Sequence, residues 1–302
     1  MTNSDSFPHA DRRTALRATA GLAALSVAGC LGGGANGSDG SDGTADGDAS
    51  GDGASADDGV DVDYAVERVA EGFENPWGIA FLPDDGRLLV TERPGRLSLV
   101  DPADGSTTSV AGAPEVFSRG QGGLLDVTIH PEFPDDSRVY LTYAATDDSG
   151  ARDTIYSYGH RNPQAMAVRS ETGRIWQCEH GERDGDEINV IERGGNYGWP
   201  VASEACNYGT DERVAPSHRE RGDVVAPVHY WPCGSGGFPP SGAVFYDGDA
   251  FPEWRGDLFA GTLAAQYLGR FTVEGAGATD ATVVEREPLL ADRDWRVRGV
   301  DG

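Results

Sequence analysis

A chain of 302 residues with 50 acidic and 24 basic side chains carries a formal charge of −26, and every one of the 24 basic residues is arginine. Such a surface repels phosphate backbones and excludes nucleic-acid binding as a function. Acid-rich and free of lysine, the composition also predicts a halophilic protein, made for concentrated salt in which ions screen the self-repulsion.

In chain order, the first 30 residues predict an export signal rather than a folded element. Arg12 and Arg13 precede a short Ala/Leu/Gly run that ends in Val27, Ala28, Gly29 and Cys30, the order of a lipobox. That run is shorter than the ~20 apolar residues a membrane-spanning helix needs. Cleavage before Cys30 and lipidation of its thiol would leave a protein exported by the twin-arginine route and anchored on the outer face of the cytoplasmic membrane. Residues 31–62 are a Gly/Ser/Asp tract with almost nothing to bury, predicted to be a disordered, self-repelling tether. Its repeated Asp-Gly units alternate with no apolar strand, so a spacer explains them better than calcium loops do.

Residues 63–302 form the globular portion, and its pattern is short alternating strands separated by Gly/Pro/Asp turns, with no amphipathic helix. The predicted class is all-β. A unit of strand, acidic turn and strand appears in WGIAFLPDDGRLLVTE (residues 77–92). It recurs at LDVTIHPEFPDDSRVYLTY (125–143), AMAVRSETGRIWQCE (165–179) and GAVFYDGDAFPEWRGDLFAG (242–261). With Arg87, Arg138, Arg174 and Asp257 as equivalent points, the intervals are one blade, one tight blade and about two blades, at roughly 40 to 50 residues per propeller blade. A β-propeller follows, with about four to five blades present. DWRVRGVDG (294–302) reads as the first strand of a further unit without its partner, which would leave an open edge in the ring. With Cys30 assigned to the lipid, Cys178, Cys206 and Cys233 can supply one disulfide in an oxidising compartment, and all three pairings stay open. No Cys/His spacing matches a zinc site.

Five segments together resemble the glucose/sorbosone dehydrogenases, the family of soluble quinoprotein glucose dehydrogenase and the aldose sugar dehydrogenases. They are ENPWGIAFLPDDGRLLVTERPGRL (74–97), GQGGLLDVTIHPEF (120–133), YSYGHRNPQAMAV (156–168), GDEINVIERGGNYGWP (185–200) and, more thinly, RVRGV (296–300). The resemblance implies a fold related to six-bladed propellers that use pyrroloquinoline quinone and calcium. A cofactor with three carboxylates and an ortho-quinone needs fixed guanidinium groups and a hard cation. By resemblance Arg161 and Asn162 would sit at the quinone, Arg296 and Arg298 would pair with its carboxylates, and Gln121 would lie beside substrate and cofactor. The carbonyls of Gly181 and Glu182 would hold a catalytic calcium, at a position where the family often has proline in place of Glu182. Asp186 and Glu187, with Tyr197 nearby, match positions of a second, structural calcium in some members. A surface salt bridge is the plain alternative for each arginine, and a salt-adapted acidic turn for the Asp186–Glu187 pair. Trp77, Trp199, Trp231 and Trp254 read as blade packing, and His130 and Asn196 as turn residues.

Two departures qualify the resemblance. In the family a long stretch between the segments of Gln121 and Arg161 carries the histidine that takes the proton of the anomeric hydroxyl. Here that stretch, about two blades at roughly 40 to 50 residues each, is missing, and His160 is the nearest histidine to stand in for it. One branch of the family also uses a lysine near the cofactor, where this chain has Ala264. The implied partners are an aldose and a membrane electron acceptor, and a homodimer is compatible with the sequence. A non-catalytic propeller that binds sugars or a partner is the alternative from another class.

Overall fold

The computed structural model describes residues 67–83, 86–145, 154–275 and 277–300, so the signal, Cys30 and the whole linker lie outside the described residues. Those from Val69 onward belong to one compact unit. It consists of antiparallel sheet and three one-turn 3-10 segments, and no described helix is long and apolar enough to cross a membrane.

Fourteen strands are distributed over four sheets. The first sheet holds β1 (Pro76–Phe81), β2 (Leu88–Glu92), β3 (Arg96–Val100) and β4 (Thr107–Ser109) in that order. A two-stranded sheet follows, β5 (Leu124–Ile129) with β6 (Val139–Tyr143). The third sheet contains β7 (Pro163–Arg169), β8 (Arg174–Glu179), β9 (Glu187–Val190) and β10 (His229–Tyr230). The fourth contains β11 (Pro240–Phe245), β12 (Leu258–Thr262), β13 (Leu268–Glu274) and β14 (Thr282–Glu285). Each of the four sequence repeats is therefore the first hairpin of one sheet.

The first strands of successive sheets are neighbours: β1 packs beside β5, β5 beside β7, and β7 beside β11. This is blade-on-blade packing, with three four-stranded blades and one of which a hairpin lies among the described residues. The seams are apolar because alternate residues of each strand point into them. Trp176, Phe238, Phe245, Leu258 and Phe271 fill the seam between the third and fourth sheets. Phe238 and Phe271 are fully buried, each contributing about 2 to 3 kcal/mol by area. Leu89, Leu97, Leu124 and Val127 fill the seam between the first sheet and the hairpin.

The C-terminal segment differs from its predicted strand. Residues 296–300 form no ladder; they lie along β11 through Gly242 N–H donating to the Arg298 carbonyl at 2.5 Å and Ser241 Oγ donating to the Val297 carbonyl at 2.5 Å. Two such contacts hold the segment without the paired strand that a sheet requires. Cys206 and Cys233 form the disulfide, and Cys178 is buried and free.

Candidate active site

The N-terminal ends of the first strands gather the polar residues. The turn before β7 places Gly159 at φ 78°, where an added Cβ would meet Asn196 Oδ1 at 2.3 Å, so the chain turns sharply there and sends His160, Arg161 and Asn162 in separate directions. Asn162 Nδ2 donates to Gln121 Oε1 at 2.8 Å, and Asn162 Oδ1 accepts from Gln164 Nε2 at 2.9 Å. Gln121 and Asn162, far apart in sequence, thus form one row of amides across the hairpin and the third sheet.

Arg161 is held from three sides. Its Nη1 donates to the His180 carbonyl at 3.3 Å, its Nε lies 3.2 Å from Glu182 Oε1, and its guanidinium carbon sits 5.8 Å from the centre of the Trp199 ring. His180 Nε2 donates to the Pro240 carbonyl at 2.6 Å. Burial, and then the positive charges of Arg161 and Arg298, push the His180 pKa down. Arg298 lies over Trp77 of β1 at 5.5 Å. Partial enclosure of its guanidinium and then the like charge of Arg296 lower the Arg298 pKa, although the residue as a whole stays exposed. Neither Arg296 nor Arg298 has a carboxylate partner among the described residues.

The turn from 181 to 186 is clamped on both sides. Gly181 can only be glycine: a Cβ would meet the Asp184 carbonyl at 2.0 Å. Asp186 fixes the turn, its Oδ1 accepting from Gly181 N–H at 3.1 Å and its Oδ2 from Phe238 N–H at 2.8 Å. Burial raises its pKa to about 6 against those two hydrogen bonds. Arg183 pairs with Cys206, and Gly185 N–H donates to the Trp231 carbonyl at 2.6 Å, so the Cys206–Cys233 bridge ties together the two segments gripping this turn. Glu182 Oε2 is buried and has no hydrogen-bond partner.

Behind the turn lies a second polar cluster. Glu187 is buried in β9, and burial and then the charge of Glu179 lift its pKa well above the carboxylate range. Burial also opposes ionisation of Glu179, but the charge and Nδ1–H of His160, at 3.1 Å, keep its pKa below the usual value. His160 Nε2 meets Ser157 Oγ at 3.0 Å and its ring stacks on Tyr197 at 4.5 Å. Asn189 Oδ1 is buried without a partner, and Asn189 Nδ2 donates to Glu187 Oε2 at 3.3 Å. The Tyr197 hydroxyl donates to the Val190 carbonyl at 2.6 Å and accepts from Glu192 N–H at 2.8 Å.

The structure therefore brings Gln121, Asn162 and Gln164 into one row, holds Arg161 between the His180 carbonyl, Glu182 and Trp199, and lays Arg298 over Trp77. Asp186 goes to backbone amides, and Glu187 to the cluster with Glu179. The sequence reading missed His180, Gln164 and the side chain of Glu182, and it left Trp77 and Trp199 to packing although each carries one of the arginines. An arginine paired with a tryptophan from a distant segment has no local signature. His130 and Asn196 do serve turns, accepting from Glu132 N–H at 3.2 Å and Gly198 N–H at 3.1 Å.

A sequence model of the family described as glucose/sorbosone dehydrogenase matches residues 73–154 and 145–302. The chain belongs to the glucose/sorbosone dehydrogenase family. The two matched stretches meet at residues 145–154, between the two-stranded sheet and β7. Aldose sugar dehydrogenase YliI of Escherichia coli is 28% identical over 331 aligned positions, covering 78% of this chain and 86% of that one. More positions are aligned than this chain has residues, so the relative carries segments without counterpart here. Quinoprotein glucose dehydrogenase B of Acinetobacter calcoaceticus is 50% identical over 79 residues, 26% of this chain and 15% of its own. A crystal structure of a glucose dehydrogenase superposes with a TM-score of 0.53 at 31% identity, covering 77% of this chain and 92% of that one. The propeller and its two-stranded sheet belong to this family member.

Proposed function

We propose that this family member oxidises an aldose at its anomeric carbon to a lactone, with pyrroloquinoline quinone as hydride acceptor. The observation that carries the reading is the row Gln121–Asn162–Gln164 next in sequence to an Arg161 held fixed by the His180 carbonyl and Glu182. The residues fit the implied groups. A tricarboxylate needs guanidinium groups not already neutralised, and Arg296 and Arg298 meet that need. A hard cation needs oxygen, and the carbonyls of Gly181 and Glu182 lie on a turn whose orphaned buried atom, Glu182 Oε2, is itself an oxygen. Glu187, with the orphaned Asn189 Oδ1 nearby, suits a second cation; Asp186 and the Tyr197 hydroxyl already serve backbone groups and would supply it little.

When bound, the quinone supplies a two-electron acceptor and calcium supplies Lewis acidity. The chain's own residues do the positioning. Arg161, fixed by the His180 carbonyl, Glu182 and Trp199, would supply positive charge at the hydride acceptor, where negative charge develops as hydride arrives. Gln121 and Asn162 offer amide groups to orient sugar hydroxyls. The hydroxyl proton needs a base, worth ~10² to 10⁴ in rate, and His160 is committed to Ser157 and Glu179. That commitment favours the second reading, a propeller that binds a sugar without turning it over. We also read the protein as exported through the twin-arginine route, anchored by lipid at Cys30 and coupled to a membrane electron acceptor.

The test is quinone absorbance of the reconstituted protein on addition of aldoses. The expected result is reduction of the quinone, slowed about 10² to 10³-fold in Arg161→Gln as for removal of a charge-stabilising donor. Bound quinone that no aldose reduces would overturn the oxidation reading in favour of binding.

A further inference from the structure

We propose that the side chain of Glu182, and not only its carbonyl, is an oxygen ligand of the calcium at the Gly181–Glu182 turn, and that through its other oxygen it fixes Arg161. The inference rests on the proposed function. The resemblance gives Glu182 no side-chain role, since proline often stands there in the family. In this chain the carboxylate is largely enclosed, with a side-chain exposure of 11%. One oxygen, Oε1, lies 3.2 Å from Arg161 Nε. The other, Oε2, is buried without a hydrogen-bond partner.

A buried carboxylate oxygen without a donor is costly, since each such group loses its water without replacement. Arg161 does not relieve it, because the guanidinium is shared between Oε1, the His180 carbonyl and Trp199. A hard cation relieves it, and the residue's own carbonyl and carboxylate are near enough by covalent geometry to share one ion. The electrostatics point the same way. Two neutral carbonyls on a turn that already meets the Arg161 guanidinium are a poor place for a divalent cation. The carboxylate of Glu182 would supply negative charge to the ion as it does to Arg161, offsetting the repulsion between the two cations. Calcium affinity follows ligand number and charge, so losing the one anionic protein ligand should show in binding directly. Gly181 keeps the turn tight enough for this arrangement, as its Cβ-free approach to Asp184 shows.

The experiment is a calcium titration of the full chain loaded with the quinone, read by calorimetry and by the calcium-dependent rise in Tm, on wild type, Glu182→Gln and Glu182→Pro. Glu182→Gln is isosteric, and the Tm of each protein without calcium or quinone reports whether it folds. The expected result is calcium affinity at least about tenfold weaker in both variants, with correspondingly less calcium stabilisation. Wild-type affinity in both variants overturns the side-chain role and leaves the functional reading intact. Failure of wild type itself to take up quinone and calcium overturns both. A loss in Glu182→Pro alone overturns the ligand role and assigns the effect to the backbone of the turn.

Discussion

At the scale of single residues, Asp126 of β5 shows how the inner strands meet. Its Oδ2 accepts from Met166 N–H of β7 at 2.5 Å, while Gly78 of β1 passes so close that a Cβ would lie 2.6 Å from Oδ1. Burial raises its pKa to about 7, with the Met166 and Val127 amides opposing. A folded-state pKa above the unfolded one means that the native state holds the proton longer. The ionised form therefore costs stability as pH rises, from nothing below about 4 to its full extent above about 7. Asp126→Asn keeps an acceptor for Met166 and removes the charge. It should be more stable than wild type at pH 8, by a margin that shrinks towards zero near pH 4 in thermal melts. A margin independent of pH would mean that Asp126 does not titrate in this range.

At the scale of elements, the disulfide joins the two segments that grip the turn of Gly181 and Glu182. Its sequence separation is 27, which on the chain-entropy account corresponds to about 3 to 4 kcal/mol. The double variant Cys206→Ser, Cys233→Ser should melt roughly 10 °C lower. It should also show faster hydrogen exchange at the Gly181 and Gly185 amides, which bond to Asp186 and Trp231. Unchanged exchange there would show that the bridge acts only on the unfolded chain. The pairing itself was not legible in the sequence, because spacing treats the three cysteines alike. The blades were legible: hairpins such as β1–β2 and β7–β8 are set by local alternation and turn residues, and the four repeats mark them. Contacts between loops and across blades were not. Arg161 meets Glu182 from another loop of the same sheet, and Arg298 meets Trp77 of the first sheet from more than two hundred residues away, so neither leaves a periodic trace. The segment at 296–300 was misread as a strand because alternation alone does not supply the neighbour that makes a strand.

At the scale of the whole molecule, a charge of −26 sets how the propeller responds to salt. Several described arginines are consumed in surface pairs such as Arg138–Asp136, Arg221–Asp223 and Arg213–Glu220, each of which contributes little. What remains is an acidic surface that repels itself across distances comparable to the Debye length, ~10 Å at 0.1 M salt. Potassium chloride should therefore raise Tm steeply between ~0.1 and ~1 M, where the Debye length falls to about 3 Å, and only gently beyond. Screening and strengthened apolar burial are separable, because sulfate acts on burial well beyond its ionic strength. If chloride and sulfate give one curve when plotted against ionic strength, self-repulsion dominates and the acidic surface is a salt adaptation. If sulfate stabilises far more, the seams between blades are the weak point, and the hairpin β5–β6, with one ladder where the other sheets have three, is where unfolding starts. Hydrogen exchange at the amides of β5 and β6 in low salt then distinguishes the two: uniform loss of protection follows from charge, and early loss in this hairpin from packing.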